Sequence, residues 1–217
     1  MENGSRRLRE ALRYMGCRGE ADPQTARLAE ECFEALEGAC RPCYLAGEFP
    51  LRFREDGWID GGCFRTRSES LGKNLRDCSG VLVFAATLGT GADRLIQKYT
   101  RLEMSRAVAL QAAAAAMIEE YCDQACRRLG ESYEKRGFYL RPRFSPGYGD
   151  FPLACQPGLL DGLEAGKRLG IRLTDSLLML PTKSVTAVIG IGRAPLRCTV
   201  LGCEACGKRD CAYRRDG

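Results

Sequence analysis

Histidine is absent from all 217 residues. Its absence excludes Ser–His and Cys–His nucleophile pairs and histidine-ligated zinc. Lysine is scarce: of 33 basic residues, 6 are Lys and 27 are Arg. They are spread along the chain and the net charge is only +5, so the clustered footprint of a nucleic-acid binder is missing. No apolar run approaches the roughly 18 residues that span a bilayer. The opening MENGSRRLREALRYMG has no apolar stretch of the secretory kind. No internal repeat or low-complexity tract is visible. The expectation is a cytoplasmic protein that engages neither membrane nor nucleic acid.

What is present is ordinary for a globular chain: 45% apolar and 28% charged residues, enough for one domain or one domain with a small appendage. The 13 cysteines are unusual. In a reducing compartment they read as buried apolar residues, metal ligands or redox groups before they read as disulfides.

Hydrophobic spacing predicts helices over 5–15 and 23–39, the second started by Asp22-Pro23 and carrying Leu28, Cys32 and Leu36 on one face. Short strands are expected at 42–46, 50–54 and 58–65, and a short helix at 68–76. GVLVFAAT at 80–87 reads as a buried strand. It runs into Leu88-Gly89-Thr90-Gly91 and a helix over 92–99. Arg94 stands where a dinucleotide fingerprint needs its third glycine, so this is a tight strand-to-helix turn. The longest helix is expected over 102–129, with Met104, Val108, Ala115, Ile118, Cys122, Ala125 and Leu129 on one face. Its slim Ala112–Ala116 run admits either a neighbouring helix or a ligand. The loop 141–157 holds four prolines and two glycines. A helix over 159–169 and strands over 171–180 and 183–191 follow.

Within that loop, Arg143-Phe144-Ser145-Pro146-Gly147-Tyr148 combines a fixed cation, a rigid turn and an aromatic ring. Pro146 and Gly147 suit the centre of a type II turn, glycine supplying the positive φ. An arginine fork suits a carboxylate and an aromatic face suits a cation. S-adenosylmethionine carries both groups, although Arg and Tyr in a proline-rich loop are more often structural.

The stretch 141–191 resembles the C-terminal activation domain of cobalamin-dependent methionine synthase. That family has an Arg-x-x-Pro-Gly-Tyr segment, then a helix, a Leu-Thr-Glu-Ser strand, a proline and a Ser-Val-Ser run. Here the counterparts are Arg143–Tyr148, the helix near 159–169, Leu173-Thr174-Asp175-Ser176, Pro181 and Ser184-Val185-Thr186. Residues 1–140 resemble short free-standing members less distinctively. The resemblance implies that S-adenosylmethionine lies along the segment while the domain docks over a partner's corrinoid. One electron plus the sulfonium methyl then convert cob(II)alamin to methylcobalamin. It further implies that Arg143 meets the ligand carboxylate, that the backbone near Ser145 meets adenine or ribose, and that Tyr148 lines the pocket. An acidic residue of the long helix, Glu119 or Glu120, completes the set. No residue is implied as catalytic. The chain departs from the pattern at Gly190-Ile191-Gly192, where synthase-fused members carry aromatic residues, and in an N-terminal Asp that has no counterpart here. Without histidine there is no lower axial ligand for a corrinoid, so cobalamin would arrive on a partner.

A second motif, Cys198-x4-Cys203-x2-Cys206-x4-Cys211, gathers enough thiolates for one zinc ion or one 4Fe–4S cluster. Cys40-x2-Cys43 lacks the βαβ context of a redox pair.

The expected fold is therefore α+β. A curved, mostly antiparallel sheet is covered by helices over 1–196, and 197–217 forms a small cysteine-rich, metal-binding appendage. The expected function is an S-adenosylmethionine-binding reactivation subunit for a cobalamin-dependent methionine synthase or a related corrinoid protein, with a flavodoxin-like or other reductant. The alternative is a metal-cluster electron-transfer or corrinoid-docking module that makes no productive use of S-adenosylmethionine.

Overall fold

A computed structural model describes residues 2–17, 19 and 21–195 of the chain, with side chains from residue 6. Cys198, Cys203, Cys206 and Cys211 lie outside the described residues. The architecture is α+β, and all described strand pairs are antiparallel.

The centre is the apolar run anticipated from sequence. Strand β5 (Cys78–Thr87) pairs along its length with β1 (Cys43–Pro50) on one side and β9 (Ser184–Gly192) on the other. Beyond β9 lies the short β6 (Tyr139–Leu140), so the sheet order is β1-β5-β9-β6. Side chains alternate across a strand, and β5 uses both faces. Leu82, Phe84 and Ala86 enter one core, whereas Val81, Val83 and Ala85 enter another.

The first core is roofed by α1 (Glu2–Tyr14), α2 (Pro23–Ala39), α4 (Thr90–Leu102) and the 31-residue α5 (Met104–Glu134). The second is closed by α3 (Glu69–Asn74), α6 (Gln156–Gly162) and α7 (Ala165–Arg168). The hairpins β2 (Arg52–Phe53), β3 (Ile59–Asp60), β4 (Arg65–Thr66) and β7 (Arg172–Leu173), β8 (Met179–Leu180) lie beside them. No described helix is long and apolar enough to cross a membrane.

The sequence signals explain most elements. The Asp22 carboxylate accepts from the N–H groups of Gln24 and Thr25, and Pro23 opens α2. The alanine run of α5 serves helix packing: Ala109, Ala113 and Ala114 are fully buried where α5 meets the sheet and its neighbouring helices.

Four expectations change in detail. Residues 43–50 form one strand rather than the end of one and the start of another, because β5 offers a partner to every residue. The expected strand at 171–180 is a tight hairpin, turned at Leu177 with φ +62°. The helix at 159–169 starts earlier and is broken by left-handed Glu164. Met104 and Val108, placed on the apolar face of the long helix, are exposed.

Candidate functional site

A cleft of about 800 Å³ opens on the α5 side of the sheet, where β6 and the segment after it run beside β9. One wall is a stripe of α5. Glu119, Asp123, Cys126, Gly130 and Glu134 follow one another at three- and four-residue steps, so the helix turns them all the same way. The opposite wall is the segment from Tyr139 to Ser145 with Tyr148, and Val185 and Ile189 of β9 close the cleft.

The motif folds as its residues require. Tyr148 N–H donates to Ser145 O at 3.1 Å and Gly147 has φ +92°, which makes Ser145–Tyr148 a turn with glycine in the left-handed position. Phe144 exchanges two backbone bonds of 2.9 Å with Val188, which fixes the segment to the outer side of β9. Phe144 then packs with the second core, leaving Arg143, Ser145 and Tyr148 on the cleft. Pro146 and Gly147 shape the turn and do not line the cleft. Tyr148 presents an exposed ring.

Arg143 is the electrostatic centre. Its Nη2 donates to Glu119 Oε2 at 3.2 Å and to Asp123 Oδ1 at 2.7 Å, and its side chain is only 18% exposed. Burial works against its charge, but Cys122 and Cys126, once they ionise at strongly alkaline pH, together with Glu119 and Asp123 more than compensate, so its pKa is raised. Asp123 also lies 3.7 Å from Arg6 of α1. Burial pushes the Cys126 thiol up to about 11 and Cys122 up to about 12. Both are therefore neutral thiols at physiological pH, so among the described residues the cleft holds no thiolate nucleophile.

Of the two glutamates singled out on the long helix, Glu119 reaches Arg143, whereas Glu120 faces a small hollow between α1 and α5 that Glu119 and Asp123 also border. Asp123 and Cys126 were not singled out from sequence. The signal was available: Asp123 follows Glu119 by four residues, one helical turn along the same stripe. In the Ser184-Val185-Thr186 run, only Val185 lines the cleft. Ser184 Oγ lies 2.8 Å from Thr87 Oγ1, and Thr186 Oγ1 donates to Gln156 Oε1 at 3.4 Å. Among the described residues, no group of three or more Cys, Asp or Glu side chains could hold a metal ion.

Chemically, the cleft lining carries Glu119, Asp123 and Glu134 against Arg127, Arg141 and Arg143, an even balance of charge. A cation held between two carboxylates suits a zwitterionic end group: a ligand carboxylate on the guanidinium and a ligand ammonium on the acids. The remaining length has room for a larger, partly apolar body.

No family model and no curated protein matches the sequence. The fold, however, has a solved counterpart. The crystal structure of the MetH reactivation domain bound to AdoHcy matches with a TM-score of 0.59 over 84% of this chain and 74% of that one, at 18% identity. At that identity the likeness is one of fold.

Proposed function

We propose that the chain binds S-adenosylmethionine in the α5 cleft and serves as the reactivation subunit of a cobalamin-dependent methionine synthase or a related corrinoid protein. The observation that carries this reading is the set formed by Arg143, Glu119 and Asp123. The motif segment and the long helix bring them together in a cleft spacious enough for an adenosyl amino acid, on the fold of a domain solved with AdoHcy.

In this reading Arg143 binds the ligand carboxylate, with Asp123 and Glu119 available to the ammonium. Ser145 offers its backbone and Tyr148 its ring at the mouth. Asp123 makes the amino-group contact that an N-terminal Asp makes in the resembled family. When bound, the ligand supplies a sulfonium methyl group. The corrinoid comes on a partner, because the chain has no histidine to serve as its axial ligand.

Calorimetry on the purified chain tests the assignment. S-adenosylhomocysteine should bind, and Arg143→Ala should weaken it about ten- to a hundredfold, the loss of a charge-assisted contact. Arg143→Lys should recover little, since a point charge cannot hold two acids and a carboxylate as a fork does. Unchanged affinity in both variants overturns the reading.

The reading extends to 197–217 as a metal-binding appendage, supported by the spacing of Cys198, Cys203, Cys206 and Cys211. Metal analysis after anaerobic purification should find iron with sulfide, or zinc, and Cys206→Ser should lose it. Metal-free protein would make these plain thiols.

A further inference from the structure

The segment that carries Arg143, Ser145 and Tyr148 is gripped by α3, a helix of the opposite sheet face. At the near end, Asn74 Nδ2 donates to Pro142 O at 3.3 Å. At the far end, the Asp150 carboxylate takes three bonds from the start of α3. Ser68 Oγ donates to Oδ1 at 2.6 Å, Ser70 N–H to Oδ1 at 3.1 Å and Glu69 N–H to Oδ2 at 2.6 Å. Ser68 is itself the cap of that helix, accepting from Leu71 N–H at 3.0 Å.

An anion at a helix start satisfies N–H groups that have no partner within the helix. The Ser68 bond first, then the Glu69 and Ser70 amides, hold the Asp150 carboxyl well below the usual range. It stays ionised wherever the protein is folded at ordinary pH.

The contact is close and directional. Gly149, at φ +55°, lies so near Ser70 that an added Cβ would come within 2.9 Å of its Oγ. Phe151, fully buried against Phe64 and Phe144, anchors the next residue. Gly147 N–H donates to Phe151 O at 2.8 Å and Phe151 N–H to Tyr148 O at 3.0 Å, so whatever fixes 150–151 also fixes the turn. Asp150 is not part of the cleft lining. Any influence it has on a ligand passes through Tyr148 and Ser145.

We propose that Asp150, held by Ser68 on α3, is a positioning residue: it fixes the Ser145–Tyr148 turn over the cleft so that Arg143 and Tyr148 meet the S-adenosyl ligand together. This rests on the ligand reading above.

The test uses the full chain, comparing wild type, Asp150→Ala, Asp150→Asn, Ser68→Ala and the Asp150→Ala/Ser68→Ala double variant. Two quantities are read: calorimetric affinity for S-adenosylhomocysteine and amide hydrogen exchange at 147–151. Asp150→Ala should weaken the ligand about tenfold through lost preorganisation, with faster exchange at Tyr148 and Phe151. Asp150→Asn, which keeps one acceptor oxygen, should fall between it and wild type. Ser68→Ala should act in the same direction, and the double variant should be no worse than Asp150→Ala alone. Faster exchange with unchanged affinity would make Asp150 a helix cap only, and unchanged exchange would mean it does not fix the turn. Either result overturns the proposal while leaving the ligand reading intact. Absence of wild-type binding removes the ligand reading itself.

Discussion

Arg141 explains a departure that the sequence only registered. It is 6% exposed, and its Nη1 donates to Ala194 O at 3.3 Å. Its Nε and Nη2 have no hydrogen-bond partner among the described residues beyond the neighbouring Cys78 thiol. Its side chain lies across Gly190 and Gly192, the positions at which the chain departs from the family it resembles. A Cβ on Gly190 would stand 2.5 Å from Cys78 Sγ, 2.8 Å from Arg141 Cγ and 3.0 Å from Leu75. Gly190→Ala should therefore destabilise by about 1–3 kcal/mol, the range for overpacking a core, as read by urea denaturation. Cys78→Ala in the same background should restore part of it by removing the closest atom. An unperturbed Gly190→Ala midpoint would mean that β9 and Arg141 are not packed as described. The glycines were visible in the sequence, but the reason for them was not, because Arg141 is distant along the chain and meets them only through the β6–β9 pairing.

At the scale of elements, long periodic helices were legible and short strands were not. The start of α2 was read at the right residue from Asp22-Pro23, since capping is local chemistry. The long helix was expected to stop at Gly130. It continues to Glu134 because a helix with tertiary support tolerates one glycine, and the chain turns at Gly137, φ +76°. The hairpin at Leu173–Met179 follows from Thr174 bonds that no periodicity announces. Leu88-Gly89-Thr90-Gly91, read as a plain turn, is a helix junction: a Cβ on Gly91 would lie 2.1 Å from Ala39 O and 2.6 Å from its carbonyl carbon, at the end of α2. Those are backbone atoms and cannot step aside. Gly91→Ala should cost at least the upper part of the roughly 1–3 kcal/mol overpacking range and lower the thermal midpoint. A wild-type midpoint would refute the end-on contact of α2 and α4. Of the cleft, Arg143, Ser145, Tyr148 and Glu119 were legible because they sit in contiguous or helical patterns. Val185 and Ile189 enter it only through strand order, which a single sequence does not display.

For the molecule as a whole, alkaline pH is the exposed flank. Burial pushes Cys32 and Cys63 up to about 11, as it does Cys126, and Cys122 to about 12. Tyr133 is pushed up to about 12, first by burial and then by its bond to Glu48 Oε1, 2.6 Å away, which ties the end of α5 to β1. Each folded pKa lies above its ordinary value, so the neutral form contributes stability that is complete below the unfolded pKa and is lost as pH rises through the folded one. Stability should thus fall from about pH 9, where free thiols begin to ionise, and further from about pH 10, the ordinary tyrosine value. Tyr133→Phe should be less stable than wild type at neutral pH, with the gap closing between about pH 10 and 12. A gap independent of pH would show that the Tyr133 proton is not what Glu48 holds.

The segment that lines the cleft begins as a fringe of the sheet. Tyr139 and Leu140 pair with Gly192 and Ile191, Arg141 N–H donates to Gly190 O, and Phe144 pairs with Val188. The strand beneath, Ser184–Gly192, is almost wholly apolar and rich in β-branched residues. Uncovered, such a strand offers an adhesive edge to any other chain. Residues 139–144 therefore answer to solubility as well as to the shape of the cleft. A change that loosens the segment and reshapes the cleft also unmasks β9 and invites aggregation. That coupling narrows the routes by which this stretch can drift, independently of what the cleft holds.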